Sequence, residues 1–146
     1  MNDIQHRVGI KSSADNIYQL LTTDSGLTQW WTNDVSGAGE INALIKFRFN
    51  GGGPDFTVVE LLPNKRVGWQ HSGSVPEAWI GTSIVFELVD DGRQTFVNFT
   101  HANWTEATDF MAHCNTKWAV FLLSLKDAAE TGKGAPFPND TQIDHS

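Results

Sequence analysis

Two histidines and one glutamate are the side chains of this sequence best suited to moving protons. His71 closes the run RVGWQH and His101 the run TFVNFTH, each two residues beyond a large aromatic, Trp69 and Phe99. Residues two apart on a β-strand share a face, so both imidazoles extend the apolar faces that carry those rings. An imidazole titrates near ~6.5 and would serve as acid or base at neutral pH. Glu60, in FTVVELL, is a carboxylate whose approach would tune such a group. Its direction is open, because Phe56, Val58 and Glu60 share one face, Thr57, Val59 and Leu61 the other, and both faces are apolar. An inward Glu60 would need a partner, with Lys117 and Arg48 as the candidates. No nucleophile with an adjacent base and no oxyanion-hole motif accompanies the histidines. That favours a structural or ligand-orienting role, each imidazole satisfying the other or a backbone carbonyl.

The remaining reactive types point to packing. His113 and Cys114 are adjacent and project to different sides of a helix, and nothing has the Cys/His spacing of a zinc site, so no metal and no cofactor is expected. Cys114 falls on an apolar stripe and reads as a small core residue. Gly51-Gly52-Gly53 lacks the Gly-Lys-Ser/Thr ending of a phosphate loop and reads as a hairpin turn. Three N-x-T triplets, at Asn98, Asn103 and Asn139, read as chance matches. The tryptophans are more informative. Trp30 and Trp31 precede a polar stretch, Trp79 lies in GSVPEAWIG and Trp104 just after a strand-like run. They either plug the end of the core or line the rim of a pocket, since each buries ~150–250 Å².

The elements that must position these residues follow from periodicity. Ile4, His6, Val8 and Ile10 alternate as a half-buried strand. SSADNIYQLLT is a helix capped by Ser12 or Ser13, ending near Thr23 before an Asp24-Ser25-Gly26 breaker, with LTQWW as a further turn. INALIKFRF places Ile41, Ala43, Ile45, Phe47 and Phe49 on one face. FTVVELL and RVGWQHS form a hairpin across Pro63-Asn64, and TSIVFELV and QTFVNFTHA another across Asp91-Gly92. Inward parity selects Ile45, Phe47, Phe49, Val67, Trp69, Ile84, Phe86, Leu88, Val97 and Phe99. From about Thr108 to Thr131 no proline or glycine interrupts an apolar stripe of Phe110, Cys114, Trp118, Phe121, Leu122 and Leu125, a helix of about 36 Å.

Composition limits the functions open to the chain. Its 146 residues fit one domain, residues 1–134, followed by a polar tail, residues 135–146. A net charge of −7 with ten scattered basic residues and a pI near 5.0 exclude nucleic acid as the partner. No membrane span and no secretory leader is read, and a single cysteine suits a reducing compartment, so the expected location is cytoplasmic.

Several strings together resemble one family. IKSSADNIYQLLT with LTQWW, VVELLPNKRVGW, TFVNFTHAN and LKDAAETGKGAPFP are similar to the START-like superfamily called SRPBCC, in its branch related to the activator of the heat-shock-protein-90 ATPase. Ser12-Ser13 stands where the family often has Ala-Pro, and Asn64 where it often has a second proline. The resemblance implies an α+β helix-grip fold, a curved antiparallel sheet of about six strands wrapped around a long C-terminal helix with short helices after the first strand. It implies a cavity between sheet and helix for a small hydrophobic or aromatic molecule. The expected ligand-binding residues are Trp30, Trp31, Phe47, Phe49, Trp69, His71, Trp79, Phe86, Phe99, His101 and Trp118. The alternatives are an enzyme of the polyketide cyclase/aromatase type using pocket His and Glu as acid and base, and a co-chaperone-like interaction module with a chaperone partner. A tryptophan cluster left exposed would instead be a homodimer patch.

Overall fold

A strand of alternating parity opens the chain because Ile4 and Ile10 bury fully while Gln5 and Arg7 do not. The computed structural model describes residues 2–143, so Met1 and residues 144–146 of the expected tail lie outside the described residues. β1 (Asn2–Ile10) leads into α1 (Ala14–Thr22), whose Ser13 side chain accepts from the Asn16 N–H. Asp24-Ser25-Gly26 does not merely break the chain. With Leu27 it forms a second short helix, α2 (Asp24–Leu27), because the Thr23 hydroxyl caps it by accepting from Gly26 N–H at 2.9 Å.

The sheet then runs through β2 (Asp34–Ser36), β3 (Leu44–Arg48), β4 (Asp55–Leu62), β5 (Arg66–His71), β6 (Ser83–Asp90) and β7 (Thr95–Trp104). Its order is β1-β7-β6-β5-β4-β3-β2, antiparallel throughout. Among the described residues there are seven strands against about six expected. The extra one, β2, exists because the Asp24 carboxylate accepts the Gly37 and Ala38 N–H groups and holds this loop against β3. β3 starts later than its alternation implies: Asn42 has φ 70° and turns the chain, leaving Ile41 48% exposed. β7 runs on past His101 to include Trp104.

The inward set from parity is buried, with Phe49 half-buried. A register shift between Val58 and Glu60 breaks the parity of β4. It keeps Glu60 on the outer face with Val59 and brings Leu61 against the core, and Glu60 pairs with Arg66 at 2.6 Å. Neither expected partner reaches it, since Arg48 pairs with Asp55 and Lys117 with Asp140.

α3 (Asp109–Thr131), capped by Thr108 and stopped by Gly132 at φ 84°, lies across the inner face. Trp118 meets Phe99 at 4.5 Å and Trp31 at 5.0 Å between ring centroids. Beyond it the chain doubles back. Ala135 N–H donates to Ser124 Oγ, Phe137 N–H to the Trp31 carbonyl, and Asn33 N–H to the Phe137 carbonyl. Gly134 permits this crossing, as a Cβ there would stand 2.5 Å from the Gln29 carbonyl oxygen and 2.7 Å from that of Ser124. Gly134→Ala is therefore expected to cost about 1–3 kcal/mol, the range for overpacking, read as a lower urea midpoint with an unchanged m-value.

Candidate functional site

All six tryptophans are buried, none more than 8% exposed, yet they do not fill the interior. A cavity of about 240 Å³ remains at one end, between the β3–β4 turn, the β5–β6 loop and the first half of α3. Trp31 and Trp118 form one wall, Gly52 to Pro54 another, and Pro76 with Trp79 a third. Phe110, Cys114, Lys117 and Phe121, at helical spacing, complete it. Arg48 Nη1 secures the turn by donating to Asp55 Oδ1 at 2.7 Å and to the Phe47 carbonyl at 3.0 Å.

Of the expected ligand-binding residues, the cavity brings together Trp31, Phe49, Trp79 and Trp118. Trp30 sits behind Trp31 in a stack with centroids 6.0 Å apart, its indole donating to the Leu20 carbonyl. Phe47, Trp69, Phe86 and Phe99 form the packed layer behind them. Neither His71 nor His101 is on the wall. The missed wall residues come from a turn, a loop and the polar flank of a helix stripe. Phe110, Cys114 and Phe121 were readable from that stripe as one face; Lys117, one position before Trp118, carried no apolar signal.

His101 is held neutral by its partners. Trp118 Nε1–H donates to His101 Nδ1 at 3.1 Å, and an indole nitrogen can only donate. The proton therefore resides on Nε2, which donates to Thr82 Oγ1 at 2.9 Å, and that hydroxyl donates to the Trp79 carbonyl at 2.6 Å. Burial, with the neighbouring His71 adding to it, pushes the His101 pKa down to about 3. With both nitrogens engaged, His101 ties α3, β7 and the β5–β6 loop together and offers no proton for transfer. His71 donates from Nε2 to the Val75 carbonyl at 3.0 Å, pinning the other end of that loop. Burial pushes the Cys114 thiol up to about 11, opposed by the Trp79 indole N–H, so the thiolate that attacks or binds metal is scarce at neutral pH. Among the described residues no three His, Cys, Asp or Glu side chains gather as a metal-binding group, and no helix is long and apolar enough to cross a membrane.

Comparison with known proteins adds a family frame. The family described as Activator of Hsp90 ATPase homolog 1-like protein matches residues 11–130. A solution structure of the Aha1 dimer from Colwellia psychrerythraea is 68% identical, with a TM-score of 0.86 over 92% of this chain and all of that one. The protein SSP2350 from Staphylococcus saprophyticus (15% identity, TM-score 0.75, 91% of this chain and 95% of that one) shares the fold. So does CalU16 from Micromonospora echinospora (15% identity, TM-score 0.73, 92% of this chain and 77% of that one). No curated protein matches significantly.

A neutral His101 makes stability depend on pH in a definite direction. Its pKa is lower folded than unfolded, so between about 3 and 6.5 the unfolded chain binds the extra proton. The contribution is complete above ~6.5 and is lost as pH falls, by at most about 1.4 kcal/mol per pH unit. Urea midpoints from pH 7 down to pH 5 should fall, and His101→Gln, lower overall, should lose that part of the slope.

Proposed function

This chain belongs to the family of Activator of Hsp90 ATPase homolog 1-like proteins, within the SRPBCC superfamily, and we propose that it binds a small hydrophobic or aromatic molecule between its curved sheet and α3. The cavity carries this reading. A space of about 240 Å³ persists in a core otherwise closed by stacked rings. An apolar cavity of ~150 Å³ is already enough to take up benzene, so this one has room for somewhat more than a single ring. Flat indole and phenyl walls favour a flat ligand, because offset and edge-to-face contacts add about 0.5–1.5 kcal/mol each beyond the area buried. The fixed walls also help. Trp79 and Trp118 are tied to one another through His101 and Thr82, so little freedom is lost on binding.

Titration with prodan, a flat fluorophore of two fused rings that brightens in apolar surroundings, tests this. A saturable rise in probe fluorescence is expected, and Cys114→Phe, which puts a ring into the space, should weaken it by about tenfold or more while the melting curve stays cooperative. A flat titration, or a variant that binds as well as the parent, would contradict the reading. The 68% identity to a dimeric relative supports a second inference, that this chain also pairs with itself. Light scattering behind size exclusion should then give about 32 kDa, twice the 16.2 kDa chain mass.

A further inference from the structure

We propose that the ligand is an anion, a small aromatic carboxylate or phenolate whose ring lies among Trp31, Trp79 and Trp118 and whose oxygen is received by Lys117 in exchange for Asp140. This rests on the cavity being a ligand site and names the chemistry of what it holds. Among the described residues Lys117 is the one Lys or Arg on a wall that carries no Asp or Glu, in a chain of net charge −7. Its side chain is 17% exposed, and its ammonium stands 4.9 Å from the centroid of the Phe121 ring.

All of its hydrogen-bond partners among the described residues come from the returning C-terminal segment: the Asp140 carboxylate and the Thr141 carbonyl at 2.9 Å. Asp140, 1% exposed at its side chain, accepts otherwise, among the described residues, only from Gln142 of the same segment. The body of the domain thus offers Asp140 a single charge partner, and that partner lies at the cavity. A partly buried ammonium needs an anion, since leaving it unpaired costs several kcal/mol. Asp140 supplies one now, and a bound carboxylate would supply it equally well.

The second donor is Trp79 Nε1–H, which is buried and makes no hydrogen bond of ordinary geometry, having only the Cys114 sulfur as a weak neighbour. Both groups can only donate, and on an aromatic wall that carries His113 but no carboxylate they complement a ligand whose polar end accepts. The segment bearing Asp140 is placed to respond, because Phe137 packs on Phe49 at 5.3 Å and is hydrogen-bonded to Trp31, both wall residues. Glu77 and Glu106 border an adjoining groove, but both are exposed, where salt screens charge over ~8 Å.

The test compares 2-naphthoate with the uncharged 2-naphthylmethanol near pH 7.5, read by calorimetry on the full chain. Naphthoate should bind about tenfold tighter. Lys117→Gln should abolish that preference while leaving the alcohol within about twofold, and Asp140→Asn should strengthen naphthoate alone. Equal affinities in the parent, or a Lys117→Gln loss shared by both compounds, would overturn the proposal and leave the ligand site standing. If neither compound binds, the ligand site falls too. Asp140→Asn decides the matter independently should Lys117→Gln fail to fold, because an unchanged naphthoate affinity there denies the exchange.

Discussion

The interior depends on one line of hydrogen bonds running from Trp118 through His101 and Thr82 to the carbonyl of Trp79. These groups lie inside an aromatic core, where an unpaired donor or acceptor costs about 1–3 kcal/mol. Satisfied together, they define a unique arrangement of three otherwise independent parts: the long helix, the last strand and the loop between β5 and β6. The constraint extends further than its own atoms. Thr82 also presents its carbonyl to His71 N–H and to the Gln70 side chain, so the loop is anchored at its root. Trp79, at the loop's inner end, is thereby held across from Trp118 with centroids 6.2 Å apart.

That rigidity explains why a cavity can persist beside so much apolar surface. Collapse of the space would require Trp79 or Trp118 to move, and each is tethered by a polar contact whose loss is costly. On the opposite side the β3–β4 turn is kept in place by the Arg48 guanidinium. Dispersion favours filling such a void, and the walls are prevented from doing so. A histidine that sequence reading weighs as a catalyst is here a structural tie. Its two nitrogens are used in making the pocket, and the charged side chain on the pocket wall is Lys117.

Much of the fold was legible because its periods were intact. Alternation placed the inner faces of β3 and β5 to β7, and a stripe at three- and four-residue spacing placed α3. The parts that escaped have physical reasons. The register shift after Val58 inserts one residue into β4 and reverses its parity from there, so no alternating pattern could assign Glu60 or find Arg66 as its partner. β2 depends on an acceptor ten residues earlier, Asp24, and carries too short a pattern to be seen. The site was half legible. Strand and loop tryptophans were visible as large apolar residues in unusual places, whereas Lys117 lies on the polar flank of the helix stripe and its partner Asp140 reaches it only because the chain turns back after Gly134.

The central claim is that the space between Trp31, Trp79 and Trp118 admits a flat molecule without disturbing the core behind it. The six indole N–H signals of the six tryptophans report this directly in a proton–nitrogen correlation spectrum recorded during titration with 2-naphthoate. The account predicts that the Trp79 signal, whose donor gains an acceptor, and the Trp31 and Trp118 signals shift saturably, while Trp30, bonded to Leu20 away from the cavity, does not. Signals that all stay still, or a shift of Trp30 together with the rest, would contradict it.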